Sequence, residues 1–346
     1  MNFEGYVLEI IKKIEEKGYE AFLVGRSVLL NIIEKPIEEY DIITSAPLFF
    51  IYNGIQDQNR IRIKLFQKPV TIHFKTDFDS YQKQCSFTIE ALSYHPRHGI
   101  LGGKTALEDV EKRRIRLLAP LTEEIYLKAL CYHYGLGFSL YFQVKKEQFL
   151  KPTLHPNILA KYLKILLALD QPGQIFLEHT AFFSQYFLCG DTLRILDFLK
   201  QSLPLRILAF LSFQQDKEKW LSILEIQKDQ RDILLQALEL LQLPCDEFIL
   251  KQQDLELWFP YKRALALYHK DFILLKEIDR IQESYIQRKR KKQILDLTEA
   301  DIAEYDISPK DMDSILKELY QRVLRKEVEN RKEELLKEIY KIKQNL

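Results

Sequence analysis

YEAFLVGRSVLLNIIEKPIEEYDIITS, residues 19 to 45, decides the fold. The apolar run Glu20 to Val24 reads as a strand that stops at Gly25, and a residue without Cβ lets another group approach the backbone closely. Val28 to Glu34 follows as an apolar helix, Pro36 closes it off, and Tyr40 to Thr44 forms a second strand. Glu39 and Asp41 stand one residue apart, so strand alternation turns both carboxylates to the same side. Such a pair suits a metal ion; equally, Glu39 belongs to a run of solvated acids between Glu34 and Asp41.

Val24, Gly25 and Val28, then Tyr40, Asp41, Ile42, Thr44 and Ser45, stand in register with two motifs, Val-Gly-Gly-x-Val-Arg-Asp and Asp-x-Asp before Ile-Ala-Thr-Ser. In this the stretch resembles the head of class II CCA-adding tRNA nucleotidyltransferases and bacterial poly(A) polymerases. The resemblance implies an α+β chain: a polymerase-beta-like nucleotidyltransferase head with a mixed sheet, followed by an all-α neck, body and tail. It implies that Glu39 and Asp41 are the catalytic, Mg²⁺-holding carboxylates, here vestigial. Glutamate in place of the first aspartate moves the charge outward by one methylene, and magnesium tolerates little displacement. Gly25 and Arg26 fall on the nucleotide-binding turn. Arg26 replaces its second glycine, offering a guanidinium in place of a bare backbone cradle. Leu29 and Leu30 stand where the family has Arg and Asp.

Other landmarks repeat this pattern. Gln84 to Ala91 matches the apolar and threonine positions of Arg-Arg-Asp-Phe-Thr-Ile-Asn-Ala without its first three charges, and Val70 is the nearest counterpart of an active-site glutamate. Leu121 to Ile125 occupies the place of the base-reading Glu-Asp-x-x-Arg, leaving Lys128 as the basic residue of that helix, and Pro156-Asn157-Ile158 replaces Pro-Glu-Arg. Losing guanidinium forks costs a few kcal/mol of charge-assisted hydrogen bonding per site. The connection from Asp77 to Gln84 reads as shortened relative to the family.

The 346 residues are 47% hydrophobic, enough for more than one core. Lys+Arg 51 against Asp+Glu 50 leaves a net charge of +1, so affinity for RNA has to come from local patches. Cys85, Cys131, Cys189 and Cys245 are widely spaced and read as ordinary buried thiols rather than a zinc or disulfide framework. His95 and His98 lack further ligands nearby in sequence, which argues against a metal there. No apolar run approaches a membrane span, and the expected location is cytoplasmic.

Residues 2 to 17 form an expected helix closed by Gly18. Arg60 to Leu65 and Val70 to Lys75 alternate as an antiparallel pair around a turn at Gln67-Lys68-Pro69, and Arg114 to Ala119 reads as the last head strand. Beyond Pro120 the leucine pattern is helical almost throughout. The resemblance divides the chain into a head at 1–120, a neck at 121–170, a body at 171–280 and a tail at 281–346. The basic run Arg288, Lys289, Arg290, Lys291 and Lys292 is the candidate RNA-binding patch, against a solvated helix face as the alternative.

The expected function is that of a tRNA nucleotidyltransferase-like or poly(A) polymerase-like protein that binds tRNA or another RNA, with catalysis weak or lost: a pseudoenzyme. One alternative is an active Mg-dependent enzyme adding CTP or ATP to RNA 3′ ends through Glu39, Asp41, Arg26 and Lys128. The other is a protein-interaction module without an RNA role.

Overall fold

A computed structural model describes residues 3–48, 55–57, 60–65, 68–144, 149, 152–199, 202–241, 255–297, 301–302, 305, 307, 309–325 and 327–344. The chain divides into two compact units, residues 1–169 and 170–346.

The first unit opens with α1 (Gly5–Glu15), whose Val7, Ile11 and Ile14 are fully buried. β1 (Ala21–Val24) leads through Gly25 into α2 (Arg26–Ile32), and β2 (Tyr40–Thr44) returns antiparallel to β1. Then come β3 (Ile55–Asp57), β4 (Arg60–Leu65), β5 (Lys68–His73), α3 (Phe78–Gln84), β6 (Ser93–His95), β7 (Gly99–Leu101) and α4 (Lys104–Glu111). The seven strands make one mixed sheet in the order β3-β4-β5-β2-β1-β6-β7, in which only β2 and β5 run parallel. Two rows of side chains cross its centre. Val24, Asp41, Thr71 and Arg62 stand in register in one, and Phe22, Ile43, His73 and Arg60 in the next.

Tyr40, Ile42 and Thr44 turn to the opposite face and are buried, with Tyr6 of α1 meeting the Tyr40 ring edge-on at 6.2 Å. Asp41 is the one half-buried residue of β2, and Ile43 on the same face is buried as well.

β8 (Arg114–Ile115) lies outside this sheet. It pairs in parallel with β9 (Ser139–Leu140), reached through α5 (Glu123–Leu136), whose last turn ends on Gly137 at φ +74°. The expected head strand over 114–119 is thus two residues long and belongs to a separate sheet, with Leu117 beyond it in an isolated antiparallel bridge to Phe87. Lys68 and Pro69, expected in a turn, extend β5 and face Leu65 and Lys64. The Asp77 to Gln84 connection is helical: Asp77 caps α3 by accepting from Ser80 N–H at 2.7 Å. α6 (Pro156–Ala168) completes the unit against α5.

Among its described residues the second unit is helical. It contains α7 (Pro172–Glu178), α8 (Thr180–Phe183), a 3₁₀ segment Asp191–Phe198, α9 (Leu203–Ser212), α10 (Lys217–Ile223) and α11 (Lys228–Leu240). α12 (Trp258–His269), α13 (Phe272–Ile294), α14 (Pro309–Leu324) and α15 (Lys332–Gln344) follow. Phe176, Phe183, Phe187, Phe210 and Trp220 form an edge-to-face aromatic core, while Leu295, Ile315, Leu319, Leu335 and Ile339 make a separate cluster in the tail. Cys245 and Thr298 to Ala300 lie outside the described residues. No described helix is long and apolar enough to cross a membrane.

Candidate functional site

Asp41 sits half-buried on the open face of β2, and its Oδ1 stands 3.1 Å from His73 Nε2. Its direct partner across the parallel ladder is Thr71, so His73 reaches it along the diagonal. Val70, expected to hold the place of an active-site glutamate, faces Tyr40 on the other side of the sheet and is fully buried. The buried Val70 therefore lies off the face that carries Asp41. Glu39 is exposed just before β2 and pairs with Arg62 of β4 at 3.4 Å.

These contacts bear on metal binding. Each carboxylate of the Glu39 and Asp41 pair is directed at its own basic side chain, and no group of three or more His, Cys, Asp or Glu among the described residues could hold a metal ion. A magnesium ion shared by the two carboxylates would displace Arg62 and His73, partners that are themselves partly exposed and weakly held.

Gly25 keeps φ at +67°, a left-handed value, and a Cβ built there would lie 2.9 Å from the Tyr81 hydroxyl. The glycine is thus required by backbone and by contact. Tyr81, carried in by α3, covers the approach to that backbone and donates to Glu90 O at 3.4 Å. Arg26 is exposed, with its guanidinium 5.9 Å from the centroid of the Tyr132 ring.

Lys128 projects from α5 onto Glu90, Nζ to Oε1 2.7 Å. Glu90 ends a 3₁₀ turn over Thr88–Glu90 and is almost wholly buried. It also accepts from Tyr132 Oη at 2.8 Å and from Ser86 N–H at 3.2 Å. Three donors compensate the cost of burying this carboxylate. Burial, reinforced by Glu90, pushes the Tyr132 hydroxyl well above its ordinary value, and burial with Glu90 nearby lifts the Cys85 thiol to about 11. One turn away, Thr88 donates to Asp109 Oδ2 at 2.8 Å, and Arg116 grips the same carboxylate in two-point fashion at 3.0 and 3.2 Å. The threonine of the matched motif is therefore a packing pin between the 3₁₀ turn, α4 and the strand after it.

The structure thus gathers Gly25, Arg26 and Lys128 around Tyr81, Tyr132 and Glu90, while Glu39 and Asp41 face Arg62 and His73. Arg288 to Lys292 lie on α13; their side chains are outside the described residues. His95 Nε2 stands 2.7 Å from the accepting Glu15 Oε1, and the ring stacks on His98. Sequence reasoning missed Glu90, His73 and Arg62. The signal for Glu90 was a carboxylate where the matched motif has an amide, together with the lone lysine at 128; for the other two, the register of β4 and β5 carried it.

No family model matches the chain. The CCA-adding enzyme of Streptococcus uberis is 25% identical over 181 residues, covering 44% of this chain and 45% of that protein. The CCA-adding enzyme of Streptococcus pyogenes is 26% identical over the same shares. These matches span less than half the length of the curated relatives. The fold is shared more widely. The Bacillus stearothermophilus CCA-adding enzyme in complex with CTP superposes with a TM-score of 0.64 at 17% identity, covering 98% of this chain and 97% of that one. The Thermotoga maritima CCA-adding enzyme complexed with tRNA gives 0.56 at 15% identity, covering 98% and 96%. The chain has the α+β fold of these proteins, a mixed-sheet nucleotidyltransferase head with helices after it.

Proposed function

We propose that this relative of the CCA-adding enzymes is a cytoplasmic RNA-binding protein of tRNA nucleotidyltransferase shape, in which transfer of CTP or ATP to an RNA 3′ end is weak or lost. One observation carries the reading: of the four charged groups that the fold would offer to metal and triphosphate, three meet a side chain of the same chain, while Arg26 stays exposed beside the Tyr132 ring. Glu39 has Arg62, Asp41 has His73, and Lys128 has Glu90. An incoming nucleotide would have to break these contacts before making its own, and differential binding of the transition state would be reduced accordingly. The neighbours bound to tRNA and to CTP supply the RNA side of the proposal. On this reading the head spans 1–120, the neck 121–170, the body 171–280 and the tail 281–346, with Arg288, Lys289, Arg290, Lys291 and Lys292 as a phosphate-contacting run on α13.

Incubation of the full chain with tRNA lacking its 3′ end, Mg²⁺ and labelled CTP or ATP tests the catalytic half. No incorporation above background is expected; incorporation abolished by Asp41→Ala would make the chain a working, magnesium-dependent transferase. Electrophoretic shift of tRNA at two salt concentrations tests the other half. Binding that weakens with salt is expected, and none at low salt would leave a protein-interaction module.

A further inference from the structure

The small parallel sheet β8–β9 carries a feature that none of the readings above uses. Its inner face is apolar: Ile115 is fully buried, and Leu140 and Phe142 pack against the head core. Its outer face is cationic and aromatic. Arg114 stands opposite Ser139, and Tyr141 follows one step on, held by its own N–H to Ile115 O at 2.9 Å. Strand alternation therefore puts Arg114, Arg116, Ser139 and Tyr141 together. Both guanidinium carbons lie close to the Tyr141 ring, Arg114 at 5.1 Å and Arg116 at 5.0 Å from its centroid, while the ring is 54% exposed.

Charge on this face is not balanced. Asp109 is engaged in two-point fashion by Arg116, and the neighbouring Glu108 is 3.7 Å from Lys112. Arg114 has no acidic partner among the described residues, and Arg113 beside it rests over the Phe138 ring at 5.3 Å. An exposed tyrosine bracketed by guanidinium groups on a sheet face provides what single-stranded nucleic acid requires: flat surfaces on which bases stack, with donors for the phosphates between them. A phosphate supplies the Arg114 guanidinium with a counterpart in two-point geometry, and the exposed ring beside it supplies a face for the adjoining base.

We propose that Arg114, Tyr141 and Arg116 form a stacking platform for a single-stranded segment of RNA, with Arg114 the phosphate donor and Arg116, fixed by Asp109, the post that holds the ring. The proposal rests on the RNA-binding reading above.

The test is fluorescence anisotropy of the full chain with a labelled single-stranded RNA dodecamer across a salt series, comparing wild type with Tyr141→Ala, Tyr141→Phe and Arg114→Gln. Thermal melts of each variant check that the fold is kept. Tyr141→Ala is expected to weaken binding roughly tenfold or more, Tyr141→Phe to retain it, and Arg114→Gln to lower the salt slope by about one. Wild-type binding that all three variants leave unchanged would overturn the platform while sparing the RNA-binding reading. Absence of wild-type binding to both the dodecamer and tRNA at low salt would overturn both.

Discussion

His73 holds its Nε2 3.1 Å from Asp41 Oδ1, along the diagonal of the one parallel strand pair in the sheet. That contact gives the half-buried carboxylate a partner within the chain. Both side chains are about one-third exposed, so the pair contributes no more than about 1 kcal/mol. Asp41→Ala and His73→Ala are each expected to lower stability by at most about that amount in urea melts. Millimolar Mg²⁺ is expected to leave the wild-type midpoint where it is. A midpoint raised by Mg²⁺ in the wild type but not in Asp41→Ala would contradict this.

Glu90 and Lys128 are more tightly bound into the interior. Glu90→Gln removes the charge while keeping an acceptor for the Tyr132 hydroxyl, and Lys128→Met removes the opposite charge while keeping the stem. A double-mutant cycle on stability is expected to return a coupling of about 1–3 kcal/mol. Strict additivity would mean that the two side chains act independently.

Gly25 serves backbone and packing at once. Gly25→Ala places a Cβ against the Tyr81 hydroxyl at a φ of +67°, which is expected to cost about 1–3 kcal/mol. Combining it with Tyr81→Phe removes the steric part and is expected to recover some of the loss. An unchanged melting temperature for Gly25→Ala alone would show that the turn relaxes freely.

Burial raises three of the described thiols, Cys85 to about 11, Cys131 to about 12 and Cys189 in the same direction. An unfolded cysteine ionises near 8.5, so the folded chain holds these protons over a range where the unfolded chain has lost them. Stability from this source is full below about pH 8.5 and declines as pH rises towards 11 and 12. Replacing Cys85 and Cys131 with alanine should flatten the decline in urea midpoint between pH 8.5 and 10; an equal decline in the double variant would assign it to other groups. Native protein at pH 8 should also react slowly with a thiol reagent at these two positions.

The head was legible in the sequence because its signals are local. Strand, glycine, helix and second strand follow one another between Tyr19 and Ser45, and the alternation of β2 separates Tyr40 and Ile42 from Asp41 without reference to anything distant. What escaped depends on register across strands. Nothing local to β5 says that Thr71, rather than Val70, stands beside Asp41, nor that His73 reaches it. The strands β6 and β7 and the pairing of β8 with β9 were missed because each is two or three residues long, too short for a period to declare itself. Glu90 was passed over as one more altered position, although its meaning appears only once Lys128 and Tyr132, some forty residues away, are seen to converge on it.

On the proposed function Glu39, Asp41 and Lys128 stay with their partners in the chain, and a metal-bound triphosphate gains little from them. Isothermal titration of the full chain with ATP or CTP in the presence of Mg²⁺ tests this most directly. No saturable heat is expected up to millimolar nucleotide. Saturable binding at millimolar affinity or tighter, lost in Lys128→Met or Asp41→Ala, would contradict it.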